Sequence, residues 1–127
     1  EVPGYGPILA VHATPFDDET NWLPDTPDEE IRPHLEGLDV RLLLYGHTHR
    51  PVDRTVSTVR LVNPGSVGLP LDGDPRAAYA RLDFAAGECR ATFRRVEYER
   101  ETVLMELERA NHPALAWVGR LLQKARP

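Results

Sequence analysis

A chain of 127 residues with 41% hydrophobic content is long enough for one domain with its own core, and it is too apolar for simple disorder. One cysteine, Cys89, excludes an internal disulfide framework and any cysteine-rich zinc module. Fifteen basic residues against twenty acidic ones leave a net charge of -5, which argues against a general nucleic-acid binder.

In chain order, Ile8-Leu9-Ala10-Val11 follows a Gly/Pro-rich start and predicts a short buried strand. A turn-rich loop runs from Pro15 to Pro24. Thr26-Pro27-Asp28-Glu29 predicts a helix start, with Thr26 as cap, Pro27 in the first turn and Glu29 closing a capping box. Ile31, Leu35 and Leu38 supply its apolar face, and Pro33 predicts a kink or break there. Val40 to Tyr45 predicts a second strand. The β-α-β order favours parallel pairing in an α/β (α+β) fold. Val52–Val56 and Val59–Val62 are short β-type runs around Ser57-Thr58. Ala77–Phe84 and Arg90–Tyr98 flank a hairpin turn at 85–88. Two helical stripes close the chain, Val103-Leu104-Leu107 and Leu115-Val118-Leu122, separated by Asn111-His112-Pro113. Cys89, on a strand, is expected to be a small buried residue.

Charge is uneven. Residues 17–39 hold nine acids and one base, Arg32. Such a run is expected to be a solvated face. Residues 40–60 hold Arg41, Arg50, Arg54 and Arg60 against Asp53. No apolar run approaches the roughly 20 residues of a membrane span and no signal-peptide pattern opens the chain, so a cytoplasmic location is expected. Because the chain starts at Glu1 and its one methionine is Met105, it is expected to be part of something longer.

Three histidines carry the chemistry. His12 follows the first strand, and His47 and His49 follow the second in Gly46-His47-Thr48-His49. Parallel strands would bring both ends to one sheet edge, where α/β sheets bind ligands. In an extended backbone His47 and His49 project to one side, with Gly46 making the sharp turn out of the strand. Neutral imidazole ligates many transition metals. His34 and His112 are expected to be structural. Asn63-Pro64-Gly65-Ser66 follows a strand fourteen positions after His49; alone it is a turn.

Taken in order, Val11-His12-Ala13-Thr14-Pro15, Gly46-His47-Thr48-His49 and Asn63-Pro64-Gly65-Ser66 resemble the calcineurin-like metallophosphoesterase family. The stretch Asn63 to Ala78 is similar to its bacterial small phosphodiesterase branch. Ala13 and Thr14 replace the usual glycine and serine. The family's D-x-H, G-D and G-N-H-[DE] motifs do not precede His12. The resemblance therefore implies the C-terminal half of a four-layer α-β-β-α sandwich, with residues 1–127 a single incomplete domain. That half would give two strands and a helix to one sheet and several strands to the other.

The resemblance further implies a phosphodiesterase or phosphatase that hydrolyses phosphate esters with a two-metal-activated water. It assigns His12 and His47 to one metal and His49 to the other, and places no catalytic residue in this chain. Asn63 and Ser66 would order the loops behind the ligands, and Arg50 would reach a substrate anion. Two divalent ions (Mn, Fe, Zn, Ni or Co) are implied for the complete domain. The absent half would supply the bridging carboxylate, so this chain alone would hold at most one, weakly, and would be inactive. Bare strand edges imply a partner: the N-terminal half as a second chain, or a homo-oligomer. The alternatives are an inactive interaction or oligomerisation module, or a metal-binding regulatory subunit.

Overall fold

The computed structural model describes residues 1–126. Its first sheet has the order β1-β2-β4-β3, from β1 (Ile8–Ala10), β2 (Leu42–Leu44), β3 (Val52–Val56) and β4 (Val59–Asn63). β1 and β2 pair in parallel with Ile8 opposite Leu42. β2 and β4 are also parallel, while β3 and β4 form an antiparallel hairpin. The second sheet is the hairpin β5 (Ala77–Ala85) and β6 (Glu88–Val96). Its two-residue turn takes positive φ at Ala86 (50°) and Gly87 (78°), the twist a tight hairpin needs.

The connection between β1 and β2 is parallel, as the β-α-β pattern predicts, but its helix is minimal. α1 spans Asp28–Ile31 and passes at Arg32 into a 3-10 turn through His34. Pro33 explains the change, because it has no N–H to donate to an α-helical ladder. The expected cap and capping box are absent. Pro27 occupies the cap position, and the Thr26 hydroxyl instead accepts the Leu23 N–H at 2.8 Å, closing the preceding turn. Leu35 and Leu38 lie beyond the helix, yet both still pack on the core.

Strand alternation divides the core into two layers. On one face of the first sheet, Leu43, Tyr45, Val59 and Leu61 pack against Trp22, Ile31 and Leu35. Burial pushes the Tyr45 phenol up to about 12, and its hydroxyl donates to the Trp22 carbonyl at 3.3 Å. On the other face, Leu42 and Val62 meet Tyr5 and the inward side of the hairpin, Leu82, Phe84 and Cys89. Cys89 is only half-buried, short of the expected burial. Fewer strands than expected go to the second sheet: β3 and β4 stay in the first, and only β5 and β6 form the other.

α2 (Arg100–Arg109) and α3 (Leu115–Lys124) complete the chain. The Val103-Leu104-Leu107 stripe is not buried; Val103 is 36% exposed. α3 buries Leu121 and Leu122. It ends in a left-handed cap at Ala125, whose carbonyl accepts the Gly73 N–H at 2.9 Å. That bond docks the end of the chain onto the loop that follows Asn63-Pro64-Gly65-Ser66.

Candidate metal centre

Because β1 and β2 run in parallel, both leave the first sheet at the same edge. The ladder continues past the strands: Val11 donates to the Leu44 carbonyl and Gly46 to the His12 carbonyl (2.9 Å). This register brings two imidazoles together. His12 Nε2 lies 3.0 Å from His47 Nδ1.

The opposite side of each loop histidine faces a backbone carbonyl. His47 Nε2 is 3.1 Å from the Glu19 oxygen, and His49 Nδ1 is 2.7 Å from the Leu69 oxygen. A carbonyl can only accept, so His47 carries its proton on Nε2 and His49 on Nδ1. The lone pairs are left on His47 Nδ1 and His49 Nε2. Such outer contacts fix the tautomer and ring orientation of metal-ligating histidines.

The loop geometry differs from the extended one expected from the sequence. His47 (φ 61°) and His49 (φ 55°) both adopt the left-handed conformation, while Gly46 does not have positive φ. The turn is therefore made by the histidines. That conformation costs a non-glycine residue about 1–2 kcal/mol, and histidine is among the residue types that tolerate it best. Neighbouring bonds hold it in place. Thr48 N–H donates to the Gly46 carbonyl at 2.6 Å. Buried Asn63 donates from Nδ2 to the same carbonyl (2.7 Å) and to Thr48 Oγ1 (3.1 Å), and its Oδ1 accepts the Gly65 N–H (2.9 Å). Gly65 has φ 87°, and a Cβ there would lie 3.0 Å from Ala78 Cβ and 3.1 Å from Pro51 Cγ. Only glycine satisfies both limits. Ser66 Oγ accepts the Leu69 N–H at 3.1 Å, bracing the residue whose carbonyl faces His49.

The donor set suits a transition metal in part. Two imidazole nitrogens 3.0 Å apart are close enough that both could serve one ion. Among the described residues no group of three or more His, Cys, Asp or Glu converges. The His12–His47 pair is thus joined by neither His49 nor a carboxylate. Two divalent ions close together repel strongly without an anionic bridge.

Arg50 follows His49 and lines a cavity of about 610 Å³ with Pro24, Pro51, Leu71, Asp72 and Arg126. His34 packs edge-on to Trp22. His112 Nδ1 accepts the Ala114 N–H, a turn contact between α2 and α3.

Sequence reasoning missed the clamp that positions Glu19. Asp17 accepts the hydroxyls of Thr14 and Thr20, both at 2.8 Å, and the N–H groups of Glu19 (2.9 Å) and Thr20 (2.6 Å). The Thr14-to-Asp17 spacing is a local turn signal that could have shown it. The Glu19 and Leu69 carbonyls have no side-chain signature at all. The Thr20 bonds, then those of Glu19 and Thr14, hold the Asp17 carboxyl well below its ordinary 3.8. A lowered folded value means the clamp is intact above about pH 4 and loosens as pH falls toward the folded value. Amide exchange at Glu19 and Thr20 should therefore accelerate below pH 4 relative to the sheet. Asp17→Asn should show fast exchange at every pH. Equal protection in both proteins would remove the clamp's role.

The calcineurin-like phosphoesterase superfamily domain model matches residues 6–87. A phosphodiesterase, YfcE of Escherichia coli K12, is 47% identical over 54 residues, which is 42% of this chain and 28% of that protein. A metallophosphoesterase structure from Sphaerobacter thermophilus superposes with a TM-score of 0.77 at 27% identity, covering 94% of this chain and 56% of that one. The hypothetical protein PH1004 from Pyrococcus horikoshii gives 0.80 at 25% identity, covering 94% and 46%. The chain thus spans little more than half of these relatives at most. Among the described residues, no helix is long and apolar enough to cross a membrane. With the family's model matched across most of its length and a mixed α/β fold to accompany it, the chain belongs to the calcineurin-like phosphoesterase superfamily.

Proposed function

We propose that this chain is the C-terminal half of a metal-dependent phosphoesterase that hydrolyses phosphate esters. The observation that carries this is the 3.0 Å approach of His12 Nε2 and His47 Nδ1. His47's far nitrogen rests on a backbone carbonyl, and so does that of His49. His12 and His47 would hold one ion and His49 a second. When bound, a metal pair supplies an activated water and neutralises the phosphoryl oxygens. The chain's own part is to present lone pairs at fixed positions: the Glu19 and Leu69 carbonyls set the tautomers, and Asn63 and Ser66 brace the loops. His12 would have to carry its proton on Nδ1 rather than Nε2 for both facing nitrogens to ligate.

The remaining ligands and the bridging carboxylate would come from an N-terminal half, as a second chain or within a longer one. β1 supports this. It has one strand neighbour, and Ala10 at its end is exposed. A bare parallel edge invites strand addition. A homo-oligomer would cover the edge without completing the charge. Manganese, iron, zinc, nickel and cobalt all accept imidazole, and the chain alone would retain no more than one ion, weakly.

The test is hydrolysis of bis(p-nitrophenyl) phosphate with Mn²⁺ by this chain joined to a segment bearing D-x-H and G-N-H-[DE]. Native mass spectrometry and metal analysis run alongside. Turnover with about two metals per complex is the expected result. A specific complex without turnover would favour the interaction-module reading instead.

A further inference from the structure

The 610 Å³ cavity beside His49 has a chemistry that the metal centre does not use. Its walls include two arginines, Arg50 and Arg126, from distant parts of the chain. Arg50 sits directly after His49. Leu71, on the facing wall, donates its N–H to the His49 carbonyl at 3.2 Å. Arg126 is carried to the cavity by the left-handed cap of α3 and the bond from Gly73 to Ala125. Its guanidinium packs over Gly73, where a Cβ would lie 3.1 Å from Nη2.

The one acid in the wall is already neutralised. Asp72 is paired to Arg95 through both of its carboxylate oxygens. Among the described residues neither Arg50 nor Arg126 has a hydrogen-bond or ion-pair partner within the chain, although most of the other arginines lining the loops do. The cavity is therefore cationic, open, and adjacent to the metal-ligating loop.

Resting on the phosphoesterase reading, we infer that this cavity is a second anion subsite. It would take a phosphate group of the substrate other than the one being hydrolysed. The substrate class is then a phosphate ester whose organic part carries a further phosphate. Planar guanidinium forks match phosphate oxygens two at a time, which suits two arginines converging on one group.

The probe is inorganic pyrophosphate, titrated calorimetrically into the full chain in EDTA. Excess chelator removes metal-dependent phosphate binding from the reading. Pyrophosphate should bind with one-to-one stoichiometry. Arg50→Gln and Arg126→Gln should each weaken it about tenfold, the loss of charge-assisted bonds to one anion. His47→Ala should bind as the parent does. So should Arg109→Gln, which removes an equal charge from α2, where Arg109 pairs with Glu106. Circular dichroism checks that each variant folds. Absence of binding, or an affinity unchanged from the parent in either the Arg50 or the Arg126 variant, would overturn the subsite. Binding intact without any hydrolysis of bis(p-nitrophenyl) phosphate by the completed domain would instead remove the phosphoesterase reading and leave the subsite standing.

Discussion

His47→Ala should lower phosphodiester hydrolysis by the completed, Mn²⁺-loaded domain by about 10³-fold or more, since metal stabilisation of the transition state is worth several kcal/mol. The size follows from what the side chain does at once. It presents Nδ1 at 3.0 Å from His12 Nε2, and it is oriented through Nε2 by the Glu19 carbonyl. On the proposed reading, alanine removes one of two donors to an ion and leaves the other without a partner. His47→Gln should recover little, because a neutral amide is a weak ligand for these cations. His112→Ala is the control. That side chain caps a turn between α2 and α3, so activity should stay near that of the parent. If His47→Ala keeps more than about a tenth of the activity, this histidine holds no working metal. Metal analysis of the same variants separates lost binding from lost chemistry.

Asn63→Ala should destabilise the fold by about 2–4 kcal/mol and lower Tm by roughly 8–15 °C in a domain of this size. Asn63 is fully buried and makes three hydrogen bonds. Alanine leaves the Gly65 N–H without its acceptor and strips a donor from the Gly46 carbonyl and Thr48. Gly46 keeps the short bond from Thr48 N–H, so its loss is partial. Asn63→Asp is a sharper probe, since it keeps the shape and the Gly65 acceptor. It places a carboxylate oxygen against the Gly46 carbonyl, which raises the folded pKa of the introduced carboxyl. Such a group is protonated first in the folded state, so this variant should gain stability as pH falls. Equilibrium urea unfolding at pH 5 and pH 8 reads both effects. Because the same bonds hold His47 and His49 in left-handed backbone, metal affinity of the completed domain should fall 10- to 100-fold in Asn63→Ala, the usual cost of an outer contact. A variant as stable as the parent would show that the two loops are held by other means.

The outline of the first sheet was legible in the chain. The apolar runs at 8–11 and 40–45 and the short β-type runs at 52–56 and 59–62 have the length and residue types of strands, and the first two, packed on both faces of a parallel pair, demand an apolar composition. The break at Pro33 and the hairpin at Ala86-Gly87 were equally local, because both are set by what one residue can or cannot do with its backbone. The cap at Thr26 failed for a related reason. Its hydroxyl found the Leu23 N–H in the preceding turn, and the helix is too short to reward a cap.

The motif residues were also visible by type and order: His12, His47, His49, Asn63 and Ser66. Their arrangement was not. His47 and His49 take left-handed backbone in a loop that Asn63, at the end of the neighbouring strand, bonds at Gly46 and Thr48. That Glu19 and Leu69 orient the imidazoles involves carbonyl oxygens, which every residue has and no sequence marks.

By itself the sequence determined which residue types could serve as ligands, their order along the chain, and the outline of the strands. Those are properties of residue chemistry and local pattern. Only the tertiary structure decided that His12 meets His47, that His49 does not join that pair, and that Arg50 and Arg126 share one cavity. Each of these joins residues from distant parts of the chain, and such contacts are set by strand register and by the docking of α3.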